Sequence, residues 1–323
     1  MSTLRIFASN FGEQIQKMLS FRASIGYSSE THASELKNFD QFCIQYCPFE
    51  THLTKELALK WSEKREHENV NGHRVRLLAL RQFGKYLNLC GHQAYIIPME
   101  FIGKPDFYTP YLFTNTELIR FFAIIDCISP LEHSDFSDYT LPVFFRIAYG
   151  CGLRPNELFN LRCRDIHFKE QHIFVYYSKT KRDRIVPLSD DLIDLCKKYD
   201  AITRQKFLDR DWFFHVNADL KHRKKWFAYR LKKYWKDAGL VERLGKYPRI
   251  YDFRHNFATR ILMKWFDEGE DVMAMMPYLS AYMGHVQLHN TIYYIHLLPE
   301  YIRNNKSFDW SQFEALLPEV PHE

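Results

Sequence analysis

The sequence predicts a mainly α-helical protein with a small antiparallel β-sheet (an α+β fold), divided into two domains. Apolar residues recur at helical spacing through residues 12–91, and three short strand-like runs lie within residues 165–188. Between these regions, three prolines occupy residues 98–110, a stretch without clear periodicity that is typical of a linker. We therefore predict a helical domain at residues 1–107 and a second domain at residues 108–323.

The composition excludes several classes of protein. Apolar residues make up 46% of the 323 residues and charged residues 26%, which excludes a disordered chain. No run of about 18 apolar residues is present, so no membrane-spanning segment is predicted. The net charge of +5 permits a polyanionic partner without requiring one, so the distribution of charge along the chain matters more than its sum.

The cysteines and the N-terminus predict a cytoplasmic protein without a metal centre. The seven cysteines are scattered, and the chain does not open with the basic start and apolar run of a secretory leader. This pattern predicts free thiols in a reducing compartment. The spacing is poor for a structural zinc site at the strongest candidate ligands, which are Cys43, Cys47, Cys90 and His92.

Three long helices are predicted in the first domain. The first spans residues 28–46, the second follows Thr54 as its cap, and the third spans residues 73–91 and is closed by Gly91. The apolar stripe of the first helix consists of Leu36, Phe39, Cys43 and Tyr46. The third helix carries a cationic stripe within one angular sector, which consists of Arg74, Arg81 and Lys85. Such a stripe is either a solvated face or a surface that contacts nucleic-acid phosphates.

The second domain is predicted to begin with a helix and to contain a β-hairpin. Thr114 and Glu117 have the spacing of a capping box, in which each side chain bonds the other residue's backbone N–H. The runs DIHF, HIFVYYS and RIVPL predict three strands, and the last two form a hairpin around KTKRD. Lys179 lies at the tip of this hairpin, where a lysine serves solubility or, when desolvated by a substrate, donates a proton.

Two arginines have surroundings that favour an anion. The run GLRPNEL places Arg154 directly before Pro155, which suits the first helical position, so Arg154 lies at a helix N-terminus. The run YDFRHNFATR places Arg254 beside two phenylalanines that share one helical face. A partly buried arginine requires an anionic partner. For Arg254 that partner is either an internal carboxylate such as Asp252 or an external ligand.

The order and spacing of these elements resemble the tyrosine recombinase (phage integrase) family. The matching segments are GLRPNEL, SKTKRDRIVPL, FRHNFATRIL and LSAYMGHVQLHNTIYYIH, and they lie within residues 114–300. Residues 12–91 resemble the helical core-binding domain of that family. The resemblance implies cleavage and rejoining of duplex DNA through a 3′-phosphotyrosyl intermediate, without a metal or nucleotide cofactor.

The resemblance also implies a role for each site residue. Arg154 and Arg254 would hold the non-bridging oxygens of the scissile phosphate by hydrogen bonds that strengthen as negative charge develops. Lys179 would protonate the leaving 5′ oxygen, and His285 would hydrogen-bond the phosphate. Tyr294 would attack the phosphorus and form the covalent intermediate, which conserves the bond energy for rejoining.

The resemblance gives Tyr294 and Tyr251 different places in the site. Tyr294 is preferred to Tyr293 as nucleophile because it opens the Y-x-H ending that is usual in the family. Tyr251 stands where the family normally has a histidine, which accepts a proton near neutral pH far better than a phenol does. This departure implies slower or more regulated cleavage, a base supplied from elsewhere such as His255, or a loss of catalysis.

A second cationic segment favours contact with DNA. Residues 221–236 carry eight Lys or Arg, interleaved with aromatic residues, and no Asp or Glu. The cations assigned to DNA contact are therefore Lys221, Arg223, Lys224 and Lys225, and with them Arg74, Arg81 and Lys85 of the stripe on the third helix.

The C-terminal segment places Trp310, Phe313 and Leu317 on one helical face, which docks either on its own domain or on a neighbouring protomer.

The resemblance finally implies the biological setting. It favours a nucleoid-associated homotetramer on two DNA duplexes with inverted-repeat sites, in the service of a mobile element. One alternative is a type IB topoisomerase, which uses similar chemistry as a monomer. The other alternative is a catalytically silent DNA-binding regulator, which Tyr251 favours.

Overall fold

A computed structural model of the chain describes residues 6–27, 30–106, 108–128, 137–176, 183–217, 220–243 and 245–298. The chain divides into two compact units, Met1–Tyr108 and Thr109–Glu323. Among the described residues, helices predominate and strands form a single small sheet. The predicted α+β class is therefore confirmed.

The first unit is helical throughout its described part. Its helices are α1 Gly12–Ser24, α2 Glu30–Tyr46, α3 Lys55–Ser62, α4 Val70–Leu89 and α5 Met99–Ile102. The predicted cap at Thr54 is confirmed, because its hydroxyl accepts a hydrogen bond from the Leu57 backbone N–H at 3.2 Å. Gly91 follows the end of α4 with φ +84°, a backbone conformation that favours glycine. The prediction of an irregular linker at residues 98–110 was wrong at α5, which forms one short helical turn within it.

The core of the first unit follows the predicted helical spacing. Leu36, Phe39 and Cys43 on α2 are fully buried, and the Phe39 ring packs edge-on against Trp61 of α3 at 5.4 Å. Tyr46, the fourth member of the predicted stripe, is instead exposed, because α2 ends at this residue and its ring lies at the helix terminus. The buried stripe of α2 therefore ends at Cys43.

The second unit contains both helices and the sheet. Its helices are α6 Asn115–Asp126, α7 Ser137–Cys151, α8 Pro155–Phe159, α9 Asp190–Lys206, α10 Lys224–Asp237, α11 Ile250–Asp267, α12 Val272–Met283 and α13 His289–Ile292. Short 3-10 turns lie at Cys163–Asp165 and Ile295–Leu297. The predicted capping box is confirmed, since the Thr114 N–H donates to the Glu117 carboxylate at 2.8 Å and the Glu117 N–H donates to the Thr114 hydroxyl at 3.2 Å. None of the described helices is long and apolar enough to span a bilayer.

The sheet has the three predicted strands in antiparallel order. They are β1 Ile166–His167, β2 His172–Val175 and β3 Arg184–Pro187, and β2 lies in the middle. The last pair of the β2–β3 ladder is Val175 opposite Arg184, so these two residues form the base of the predicted hairpin. Ile173 and Val186 face each other and are fully buried, which anchors the sheet on the core.

Helix α11 is fixed at the centre of the second unit. The ring of Phe253 is fully buried and lies 4.7 Å from Phe113 and 5.5 Å from Phe145, centre to centre. One turn later, the Asn256 side chain accepts from the Phe113 backbone N–H and donates to the Tyr111 carbonyl, both at 2.9 Å. These contacts set the rotation of α11 and so determine where its polar residues point.

Candidate active site

One cleft of the second unit contains most of the side chains predicted to carry chemistry. Its volume is about 1050 Å³. The titratable residues that line it are Arg154, Glu157, Tyr251, His255, His285, His289, Tyr293, Tyr294 and His296. The segments that supply them are the start of α8, the first turns of α11, the residues after α12, and α13 with the turn that follows it.

Arg254 is fully buried on α11, and its contacts are backbone carbonyls and an imidazole. Its guanidinium donates to the carbonyls of Gly152 at 2.8 Å and Met283 at 2.6 Å, and to His285 Nε2 at 3.0 Å. Among the described residues, no carboxylate forms an ion pair with it. Burial lowers the pKa of Arg254, which reflects the cost of a desolvated positive charge. The alternative of an internal carboxylate at Asp252 is therefore not observed.

Arg154 is held at the N-terminus of α8, as its position before Pro155 predicts. Its backbone N–H donates to Glu157 Oε2 at 2.8 Å, and its Nη1 donates to Glu157 Oε1 at 2.9 Å. Its Nη2 donates to the carbonyl of Gly284, directly after α12. The side chain is thus stretched between two elements, with one edge turned to the cleft that it lines.

A third arginine, Arg184, completes this network and was missed from the sequence. It opens strand β3, and its Nη1 and Nη2 donate to Glu157 Oε1 at 2.9 Å and Oε2 at 2.7 Å. Burial acts to raise the pKa of Glu157, but Arg184 and Arg154 outweigh it and hold that pKa below its ordinary value. The run KRDRIVPL is rich in cations, so sequence alone gave no sign that this one is buried.

Gly284 and His285 connect the end of α12 to the arginines. Gly284 has φ +66°, and a Cβ at this position would lie 3.2 Å from Arg154 Nη1. A guanidinium only donates, so His285 Nε2 accepts from Arg254 and the ring proton lies on Nδ1, which donates to the Thr291 hydroxyl at 2.7 Å. Burial, reinforced by Arg254 and other nearby cations, lowers the pKa of His285 to about 3, so the imidazole is neutral at physiological pH.

The two adjacent tyrosines have different environments. Tyr294 is 2% exposed and packs in the core formed by α11 and α12, whereas Tyr293 is 38% exposed. Burial raises the pKa of Tyr294, and the charge of Arg254 acts in the opposite direction. Its ring centre lies 6.0 Å from the His285 ring and 5.6 Å from the His255 ring. The structure therefore places Tyr294 within the arginine and histidine cluster.

Tyr251 and His255 lie one turn apart on the cleft side of α11. Tyr251 is 42% exposed, and its ring centre is 5.0 Å from that of His255. His255 Nδ1 is buried and makes no hydrogen bond to any described residue. Burial and the charge of Arg254 lower the pKa of His255 to about 4. The cleft thus contains a neutral imidazole with an unoccupied nitrogen close to Tyr294.

Lys179 and the candidate metal ligands are the other residues that the sequence predicted to carry chemistry. Lys179 lies outside the described residues, so its place relative to the cleft is a prediction. Within the described ranges, no group of three or more His, Cys, Asp or Glu side chains is arranged to hold a metal ion. The cysteines of those ranges are free thiols.

The predicted DNA-contacting cations fall into two groups. Arg223, Lys224 and Lys225 are exposed at the start of α10, and Lys85 is exposed on α4. The other three are partly buried and make internal contacts. Arg74 donates to the Gly103 carbonyl, Arg81 donates to the Ile97 carbonyl, and Lys221 donates to Asn160 and lies 4.0 Å from the centre of the Trp212 ring. Burial lowers the pKa of Lys221. The first group is therefore exposed, and the second group is partly covered by its internal contacts.

Known proteins resemble the chain over most of its length. The protein y4rB of Sinorhizobium fredii is 24% identical over 311 residues, 91% of this chain and 95% of that protein. A tyrosine recombinase of Pseudothermotoga lettingae is 26% identical over 251 residues, 76% of this chain and 77% of that protein. The tyrosine recombinase XerA of Thermococcus onnurineus is 33% identical over 185 residues, 56% of this chain and 57% of that protein.

Solved structures show the same fold. The site-specific recombinase XerH, bound to a palindromic difH substrate, matches with a TM-score of 0.64 and 19% identity, over 93% of this chain and 84% of that one. A λ integrase dimer bound to a core site matches with a TM-score of 0.61 and 15% identity, over 92% of this chain and 97% of that one. The sequence profile of the phage integrase family matches residues 120–300, which is more than half of the chain. The chain therefore belongs to the phage integrase family and is a site-specific tyrosine recombinase.

Proposed function

We propose that this recombinase cleaves and rejoins duplex DNA in the cleft described above, with Tyr294 as nucleophile and Arg154 and Arg254 as the phosphate clamp. The observation that carries the proposal is the buried charge of Arg254. A guanidinium that is fully buried without an internal anion is costly unless a ligand supplies the negative charge. A scissile phosphate in the cleft supplies it.

The charge of the cleft suits the transition state. Arg154 and Arg184 share one carboxylate, that of Glu157, and the fully buried Arg254 has no carboxylate partner among the described residues, so these four side chains carry a net charge of +2. A phosphodiester carries one negative charge, and the pentacoordinate phosphorane formed during attack carries two. Preorganised donors of this kind stabilise the charge that develops, and each is worth roughly 10²–10³ in rate.

The chemical step follows from these positions. The Tyr294 oxygen forms a bond to phosphorus, the bond from phosphorus to the 5′ oxygen breaks, and the DNA 3′ end stays attached to the enzyme as a phosphotyrosine. The 5′ oxygen takes a proton, which we assign to Lys179 on the basis of the family resemblance. Attack by a 5′ hydroxyl on the phosphotyrosine reverses the step and releases Tyr294, so rejoining requires no nucleotide.

His285 can assist in either tautomer. In the absence of DNA its Nε2 accepts from Arg254, and its Nδ1 donates to Thr291. When a phosphate replaces the Arg254 contact, Nε2 can carry the proton and donate to a phosphate oxygen, because the Thr291 hydroxyl can then donate to Nδ1. The proton of Tyr294 leaves through Tyr251, which can hydrogen-bond the phosphate, or through the neutral imidazole of His255. The variant Tyr251→His distinguishes these routes. Cleavage should become faster in this variant only if the proton leaves through residue 251.

The wider setting is also part of the proposal. The first unit is the helical core DNA-binding domain and the second is the catalytic domain. The exposed cations at the start of α10, with Lys85 on α4, contact phosphates and position the duplex. Two protomers occupy one inverted-repeat site and four join two duplexes, in the service of a mobile element. We infer a cytoplasmic location at the nucleoid from action on DNA.

A covalent-adduct assay tests the proposal. Nicked duplexes that tile the DNA flanking the chain's own gene are incubated with the protein, and a denaturation-resistant protein–DNA adduct is sought. We expect an adduct that is lost in Tyr294→Phe and retained in Tyr293→Phe, with DNA affinity unchanged in both. Sequence-specific binding without an adduct would favour the silent regulator. Relaxation of arbitrary plasmids without recombinant products would favour the topoisomerase.

A further inference from the structure

Arg184 stands behind the active site rather than in it. Its side chain is 8% exposed, and like Arg254 it does not line the cleft, whereas its partner Glu157 lines the cleft together with Arg154. Arg184 differs from Arg254, whose buried Nε has no partner among the described residues. All three guanidinium nitrogens of Arg184 donate within the protein. Nη1 and Nη2 donate to Glu157, and Nε donates to the Tyr282 carbonyl at 2.8 Å. Arg184 therefore acts on the reaction through Glu157.

Glu157 accepts more side-chain hydrogen bonds from Arg184 than from Arg154. It receives both Nη groups of Arg184, but only Nη1 and the backbone N–H of Arg154. A bidentate pair is the strongest arrangement open to an arginine and a carboxylate, so Arg184 takes up most of the Glu157 charge. Arg154 is consequently oriented by Glu157 without being neutralised by it.

The loss of Arg184 would change this balance. The buried carboxylate would then face Arg154 alone, and a full ion pair in a desolvated site would hold the guanidinium and offset its charge. Arg154 would bind the developing charge on phosphorus more weakly, although the residues that line the cleft would be unchanged. The cleft would also keep one uncompensated positive charge in place of two.

We propose that Arg184 is a positioning residue that neutralises Glu157 and so keeps the charge of Arg154 available for the scissile phosphate. This inference rests on the proposed function of the cleft. It assigns no substrate contact to Arg184. Its prediction is specific: Arg184 matters for cleavage only while Glu157 carries a negative charge.

The effect of Arg184→Gln is compared in the wild-type protein and in Glu157→Gln to test this prediction. The readout is single-turnover cleavage of the cognate nicked duplex by the full chain. We expect Arg184→Gln to cleave about 100-fold more slowly than the wild-type protein. In the Glu157→Gln background, the same Arg184→Gln change should slow cleavage by less than about threefold, because no carboxylate is left to neutralise. This second comparison holds even if the single variant Arg184→Gln does not fold. Arg184→Lys, which keeps the charge without the fork, should lie between the wild-type protein and Arg184→Gln.

A second readout separates positioning from a general loss of structure. A methylphosphonate at the scissile position removes one negative charge from the DNA, so its cleavage depends less on the charge of Arg154. The deficit of Arg184→Gln should therefore shrink at least fivefold on this substrate, whereas a structural defect would persist. The matched control is Arg146→Gln, which breaks an arginine fork to Asp126 (2.7 and 2.6 Å) away from the cleft and should cleave at the wild-type rate.

The outcomes are distinguishable. If the wild-type protein forms no adduct, the proposed function fails before Arg184 is tested. If the wild-type protein cleaves but Arg184→Gln slows cleavage equally in both Glu157 backgrounds, or not at all, the positioning role is overturned. Equal deficits on the phosphodiester and the methylphosphonate would likewise overturn it.

Discussion

The glycine at the end of α12 offers a sharp test of how the arginines are held. Gly284 has φ +66° and ψ +41°, in the left-handed region that L-residues with a side chain rarely adopt. In Gly284→Ala the new Cβ would lie 3.2 Å from Arg154 Nη1 and 3.3 Å from Arg184 Cδ and Nη1. These distances are a few tenths of an ångström too short, and both arginines are fixed by Glu157. The substitution therefore combines a backbone cost with a displacement of the clamp.

The two effects have different magnitudes. The left-handed conformation costs alanine about 1 kcal/mol relative to glycine, which lowers the Tm of a unit of this size by roughly 2–4 °C. A displacement of about 1 Å at a catalytic group can cost 10²-fold in rate, so a few tenths of an ångström at Arg154 should cost about tenfold. We therefore expect Gly284→Ala to be slightly less stable and clearly slower in cleavage.

Gly269→Ala is the matched control for this prediction. Gly269 also has a left-handed backbone, with φ +73°, but a Cβ there would have no heavy atom within 4 Å. Both variants should lose similar stability by thermal denaturation, whereas only Gly284→Ala should form the covalent adduct about tenfold more slowly in a single-turnover assay. Equal cleavage rates in the two alanine variants would refute the reasoning that Gly284 sets the position of Arg154.

Three further predictions concern the clamp, pH and salt. Arg254→Lys removes the donors to two carbonyls and should slow cleavage by at least about 100-fold, with DNA affinity changed less than fivefold in a binding titration. The imidazoles of His255 and His285 have lowered pKa values of about 4 and 3, so below pH 6.5 the unfolded chain binds protons that the folded chain does not. As the pH is lowered from 6.5 to 4, the free energy of unfolding should therefore fall by at most about 1.4 kcal/mol per pH unit for each of the two histidines. Replacement of both histidines by Gln should flatten this pH dependence in denaturant titrations. The double variant Lys224→Gln/Lys225→Gln should reduce the slope of log affinity against log salt by about 2, and an unchanged slope would remove these lysines from the DNA interface.

Local signals in the sequence were reliable where the structure depends on neighbours along the chain. The cap at Thr54, the capping box of Thr114 and Glu117, and the three strands are all present because they require only short-range spacing. The exceptions are the short helix α5 in the predicted linker and Tyr46, whose place at a helix end exposes it although its spacing fits the buried stripe. Spacing defines a face, but only packing decides how far along a helix that face is covered.

Contacts between distant segments could not be predicted in the same way. The stripe of Arg74, Arg81 and Lys85 looked uniform in sequence, yet both arginines donate to carbonyls of the segment at residues 97–103 and only Lys85 is exposed. Arg184 was one cation among several in its hairpin, and nothing local distinguished it. Whether a long cationic side chain turns to solvent or to a carbonyl depends on what the fold brings beside it.

The sequence by itself determined the helices, the three strands and the family, and it predicted four residues that line the cleft (Arg154, Tyr251, His285 and Tyr294), because each of these depends on residue type and spacing. Only the tertiary structure decided how the charges are arranged. Arg154 and Gly284 are 130 residues apart, Arg254 and Gly152 are 102 apart, and Arg184 and Tyr282 are 98 apart. A buried guanidinium takes the acceptors that surround it in space, so its partners follow from the packing of α8, α11, α12 and β3 rather than from any local run of residues.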